Sequence, residues 1–242
     1  PCDCGEGESA CQGACPFHAI RRDENGNIEI DQQACTGCGL CVDACKAQKL
    51  TQSKDILPVL DVVAKQDAPV YALIAPAFVS QFSERVTPGR LRSAFKALGF
   101  AGMVEVALFA DILTLKEALD FDELVRSEED FLLTSCCCPI WIAMIRKVYG
   151  SLTPHIPASV SPMIACGRAV KQLVPGAVTV FIGPCVAKKA EAREADIADA
   201  VDFVLTFQEI QDVFDFAGVD PENMKEDLRD HSSRAGRIYA VS

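Results

Sequence analysis

Four cysteines fall within eleven residues, Cys35, Cys38, Cys41 and Cys45, at the spacing Cys-x2-Cys-x2-Cys-x3-Cys. Any fold adopted here must bring those four thiols close together. This spacing matches the run that wraps a cubane iron–sulfur cluster. Zinc sites favour paired Cys-x2-Cys units separated by a longer spacer. Electron transfer is therefore the first expectation.

Eight of the 13 cysteines lie in the first 45 residues. The earlier run holds Cys2, Cys4, Cys11 and Cys15, with Pro16 after the last. In two-cluster ferredoxins the fourth cysteine of each run ligates the other cluster. On that rule Cys2, Cys4, Cys11 and Cys45 hold one 4Fe-4S cluster, and Cys15, Cys35, Cys38 and Cys41 hold a second. The first run is irregular, with one and six residues between its early members. The alternative is a single cluster beside free or zinc-bound thiols. Gly37 and Gly39 allow tight turns that aim N–H groups at sulfide. His18 reads as a surface or packing residue rather than one that tunes a cluster. Between the runs, Gly26-Asn27 predicts a hairpin whose second strand starts at Ile28, with Ile20 on the partner strand.

The formal net charge is -11, which argues against a nucleic-acid partner because phosphate binding needs basic surface. No run of 18 apolar residues exists, so no membrane span is expected. An odd number of cysteines at metal-type spacings speaks against a disulfide framework and for a reducing, cytoplasmic location. No signal peptide is visible, and a start at Pro1 suggests that a piece precedes it.

From residue 56 the pattern alternates. Strands are expected at 70–75, 104–108, 131–134, 178–182 and 201–207. Helices are expected at 56–65, 90–98, 113–125, 140–149, 163–173 and 209–216. Such alternation, with apolar strands, marks an α/β unit. The expected architecture is an α+β ferredoxin-like two-cluster module over residues 1–50, then an α/β lobe with a largely parallel sheet over 51–242. Sites in parallel sheets lie beyond the strand C-termini. Cys136-Cys137-Cys138-Pro139 is placed after the strand at 131–134, and Gly183-Pro184-Cys185 after the strand at 178–182. Cys166, in an apolar helix, reads as structural.

The segments Thr134-Ser135-Cys136-Cys137-Cys138-Pro139-Ile140-Trp141 and Gly183-Pro184-Cys185-Val186-Ala187-Lys188-Lys189-Ala190-Glu191 resemble the first two active-site segments of iron-only (FeFe) hydrogenases. Ala75-Pro76-Ala77, Ser161-Pro162-Met163 and Ser233–Tyr239 extend the resemblance along the chain. That family carries the H-cluster, a cubane joined to a two-iron unit with carbonyl, cyanide and a dithiolate. The resemblance implies that Cys138 and Cys185 ligate the cubane and that Cys137 delivers protons. It also implies that Lys188 donates a hydrogen bond to a cyanide, that Ala75 and Pro76 line the two-iron pocket, and that Glu117 and Asp120 relay protons. Spacing alone allows plainer roles for Lys188, Glu117 and Asp120, as solvated helix charges.

The pattern also departs from the family. Cys136 adds a third cysteine, Gly183 stands where a methionine is usual, and Pro157 replaces a serine of the proton route. Asp120 is shorter than the usual glutamate. These changes resemble the divergent, sensory branches. No cysteine follows Cys185, whereas the family supplies two more from a third segment. The expectation is the N-terminal part of a longer hydrogenase that lacks its C-terminal lobe, inactive alone, with the H-cluster complete only in the full-length protein. The partner expected is a redox protein such as a ferredoxin, or a signalling domain in the parent. A low-turnover hydrogen sensor and a non-enzymatic iron–sulfur scaffold or assembly protein are the alternatives.

Overall fold

The computed structural model describes Cys4, residues 7–133 and residues 137–228. Cys2, Cys136 and the closing Ser233–Tyr239 segment lie outside the described residues.

The cysteine-rich part contains one antiparallel hairpin, β1 (Ile20–Arg22) and β2 (Ile28–Ile30), with Ile20 opposite Ile30. The turn closes because the Asp23 carboxylate accepts the N–H groups of Asn25 and Asn27, and Gly26 takes φ +75°. This is the hairpin that Gly26-Asn27 predicts. Two short helices, α1 (Ala10–Gly13) and α2 (Leu40–Ala44), pack on each other and carry Cys11 and Cys41. The chain leaves both by the same turn. His18 and Gln48, each three residues beyond a cysteine, adopt φ +49° and +51°. The next N–H donates back to that cysteine, Ala19 to Cys15 Sγ and Lys49 to Cys45 Sγ, each at 3.3 Å. The two halves are one motif built twice.

The second part is a four-stranded parallel sheet in the order β4-β3-β5-β6. Its strands are β3 (Val70–Ile74), β4 (Gly102–Glu105), β5 (Val178–Gly183) and β6 (Phe203–Thr206). The central pair registers Val70 with Val178 and Ile74 with Ile182. Ala72, Leu73, Ile74, Val180 and Ile182 are fully buried, as strands covered on both faces require. The helices are α3 (Ile56–Lys65), α4 (Pro88–Ala97), α5 (Ala107–Leu124), α6 (Pro139–Val148), α7 (Pro162–Leu173), α8 (Ala187–Glu191) and α9 (Phe207–Ala217).

Helix starts are set by local chemistry. Proline opens α4, α6 and α7, where the missing N–H costs nothing. Thr87 and Ser161 cap α4 and α7 by accepting the N–H groups of Arg90 and Ile164. Thr206 and Glu209 form a capping box on α9.

Two sequence expectations change. Residues 131–133 form no strand. They lie against the 3-10 turn at Gly150–His155, where Leu133 N–H donates to His155 O at 2.8 Å and the Phe131 ring stacks on His155. Thr134, the last residue of that expected strand, lies outside the described residues. The strand expected at 104–108 sits at 102–105, and Ala107 and Leu108 already belong to α5. A short apolar run reads alike as strand or buried helix, which explains the shift. Among the described residues no helix is long and apolar enough to cross a membrane.

Candidate metal centre

Strand β5 ends at Gly183, and Pro184-Cys185 leads directly into α8. Lys188 lies one turn on, with its N–H bonded to Cys185 O at 3.3 Å. Its Nζ is nearly buried and donates to Cys137 O and to Glu191 Oε2, both at 2.7 Å. Cys138 is the N-cap residue of α6, and its carbonyl accepts the Ile142 N–H at 3.0 Å. The segments bearing Cys137, Cys138 and Cys185 therefore meet through one ammonium. Cys138 reaches this place from a helix N-cap rather than from the end of a strand, which corrects the sequence reading.

Glu191 has no role in the sequence reading. Its signal was the i,i+3 spacing from Lys188 on one helical face. The pair is almost closed to water, at 11% and 9% side-chain exposure, so removing either partner strands a charge.

Ala75 and Pro76 follow β3, and the Ala75 N–H donates to Ile182 O at 2.8 Å, which fixes Ala75 beside Gly183. The Phe181 ring folds over Gly183. A Cβ added there would lie 2.6 Å from Phe181 Cε1 and 3.1 Å from Ala75 Cβ. Glycine at 183 thus makes room for a neighbouring ring.

Glu117 and Asp120 lie on α5, on the stripe that continues from buried Ala110 and Leu113. Both are half-buried, and Asp120 pairs with Lys116. Pro157 lines a cleft together with Pro139, Ile142, Ser159, Glu191 and Glu194. The Ser159 hydroxyl there is buried without a hydrogen-bond partner. Burial holds the Glu194 carboxyl above its ordinary range, partly offset by Arg146 at 3.8 Å.

In the cysteine module, Cys15, Cys35 and Cys45 each accept a backbone N–H on sulfur, at 3.3–3.4 Å. Burial, and then the charges of Cys35 and Cys38, push the Cys41 thiol up. The amides of Leu50 and Lys49 pull the Cys45 thiol down. Amides aimed at sulfur, and thiols close enough to repel one another when ionised, are what an iron–sulfur cluster needs from its ligands. The donor set fits that group. Among the described residues no three His, Cys, Asp or Glu side chains surround one point closely enough to hold a metal ion. Cys4 is exposed and Cys11 buried, while His18 is exposed and serves the turn. Cys166 is wholly buried in α7, and desolvation drives its thiol far up, so it stays a neutral packing residue.

Residues 68–242 match the family described as iron only hydrogenase large subunit, C-terminal domain. Residues 26–47 match a 4Fe-4S binding domain, which spans Cys35 to Cys45 and leaves the earlier run outside. The periplasmic iron hydrogenase large subunit of Nitratidesulfovibrio vulgaris is 29% identical over 175 residues, 65% of this chain and 42% of that protein. The NADP-reducing hydrogenase subunit HndD of Solidesulfovibrio fructosivorans is 26% identical over 245 residues, 89% of this chain and 42% of that protein. This chain thus spans less than half the length of either relative. Among solved structures, the FeFe-hydrogenase HydA(deltaEFG) superposes with a TM-score of 0.64 at 25% identity, covering 74% of this chain and 51% of that one. A variant of FeFe-hydrogenase HydA1 from Chlamydomonas reinhardtii gives 0.62 at 26% identity, with the same coverage. The cysteine segments joined at Lys188 stand inside the matched region, and the chain belongs to the iron-only hydrogenase large-subunit family.

Proposed function

We propose that this chain is the electron-delivering and cofactor-supporting part of an FeFe hydrogenase that interconverts protons, electrons and dihydrogen. The observation that carries the reading is the Lys188 ammonium, which ties the Cys137 backbone to the helix that follows Cys185. Family membership supports it.

In this reading Cys138 and Cys185 bind the cubane, and Ala75 and Pro76 keep water from its neighbour. When bound, the two-iron unit supplies the site where protons and electrons combine. The Cys137 thiol exchanges protons with that site, since a positioned S–H can give up and regain a proton. Lys188 keeps a positive charge in a dry place, where it stabilises anionic ligands. Glu117 and Asp120 extend the proton route along α5. The two four-cysteine runs carry electrons in through 4Fe-4S clusters. The electron donor is a redox protein such as a ferredoxin, and the setting is a reducing, cytoplasmic one.

A slow, hydrogen-sensing member is the second reading. The Phe181 ring packed over Gly183, and a buried proline at 157, favour it. The test is dihydrogen evolution by the full-length protein with a reduced low-potential donor, together with infrared bands of metal-bound carbonyl and cyanide. Bands with fast turnover support the enzyme, and bands with slow turnover support the sensor. Cubane absorption without those bands would overturn both and leave a scaffold protein.

A further inference from the structure

Among the described residues the cysteine module meets the lobe closely at the loop after Cys35. The loop after Cys35 lies on α8, directly beyond Cys185. A Cβ added at Gly39 would lie 2.7 Å from Val186 Cγ2, and one at Gly37 would lie 3.2 Å from Ala190 Cβ. Both glycines have left-handed backbones, at φ +85° and +70°. From the other side Lys147, in the last turn of α6, donates to Gln32 O at 3.3 Å and to Cys35 O. The helix that begins at Cys138 thus ends with a cation on the carbonyl of Cys35.

We propose that Lys147 is a positioning residue for the cluster held by Cys15, Cys35, Cys38 and Cys41. It seats the Cys35 loop on α8, and its ammonium raises the reduction potential of that cluster. The proposal rests on the reading that these cysteines bind a 4Fe-4S cluster. The sign follows from charge: reduction adds an electron, and a nearby cation favours the more negative state. Glu194 lies within the fields of Arg146 and Lys147 and also of Asp196 and Glu191, so Lys147 offsets an acidic neighbourhood, and its removal leaves that negative charge facing the cluster. Lys147 is exposed, so salt must weaken its effect.

The experiment reconstitutes the chain anaerobically as wild type, Lys147→Gln and Lys147→Arg. Iron and sulfide are counted, and redox titrations are followed by electron paramagnetic resonance at low and high salt. The expected result is unchanged iron content and a cluster in Lys147→Gln that is about tenfold harder to reduce, about 59 mV for a one-electron couple. Lys147→Arg should restore the wild-type value, and high salt should narrow the gap. Iron loss in the glutamine variant with full loading in the arginine variant also supports the role of charge. Equal potentials in all three proteins, or an arginine variant that behaves like glutamine, overturn the proposal. A wild-type chain that assembles no cubane at all overturns the cluster reading beneath it, and the iron count separates the two failures.

Discussion

Among the described residues of the cysteine module the buried apolar side chains are Cys11, Ala19, Ile20 and Cys45, whereas the lobe buries Leu73, Ile74, Phe95, Ile164, Ile182 and Phe214 among many others. Half of the module's short list is cysteine. Each large apolar side chain in the lobe gains about 1.5–3 kcal/mol on burial. Among its described residues the module buries one such side chain, Ile20, so the expectation is that its order depends on metal ligation, as in other small metal-dependent domains. The contrast sets a part whose order is expected to depend on its cofactor against a part with an apolar core of its own.

The largest effect should come from removing iron. Anaerobic chelation should leave the amides of residues 9–48 exchanging at nearly unfolded rates, while those of β3 and β5 keep their protection. Hydrogen exchange read by mass spectrometry checks this, and equal protection of both parts would break the contrast. Next is the lobe's buried ion pair. Lys189 donates to both oxygens of Glu209 at 2.9 Å and to Ser53 O at 2.8 Å, with 4% of each charged side chain exposed. Lys189→Met leaves the buried Glu209 carboxylate to Lys54 at 3.7 Å and the Thr206 N–H, and should cost about 3 kcal/mol in urea denaturation, whether or not iron is present.

A smaller loss belongs to the joint. Gly39→Ala forces alanine into a left-handed backbone, at a cost of about 1–2 kcal/mol, and drives a methyl into Val186. Adding Val186→Ala should return the contact part and leave the backbone part, as a double-mutant cycle in denaturation would show. The smallest effect is at Glu194. Its raised carboxyl means that the folded state holds the proton more tightly than the unfolded chain. The resulting penalty is absent below the unfolded value. It grows as pH rises from there and is complete above the folded value. Glu194→Gln should flatten that slope in a pH series of melting curves.

Much of the fold could be read from residues that act locally. The apolar runs at 70–74 and 178–182 needed only periodicity, and α3 begins and ends where its pattern does. The segment 131–133 misled because Phe131 and Leu133 have strand-like chemistry, while their partner is His155 in a turn rather than a sheet neighbour. Cys138, Cys185 and Lys188 were legible as candidates through the resemblance of their two segments to a family's active-site segments, with Lys188 one helical turn after Cys185. Lys147 on Cys35, and Phe181 over Gly183, were not. The first contact joins residues 112 apart, and the second depends on which way a ring turns. Neither leaves a trace in local pattern.

On one side of the seam between module and lobe, main chain at Gly37 and Gly39 faces a β-branched valine and two alanines, while Lys147 reaches Cys35 O from the other. Glycine and alanine have no rotamers to sample, and valine has few. Where the glycines meet these three residues, the spacing is accordingly set by backbone and short side chains. Warming the protein should leave that gap as wide as before until the module itself lets go.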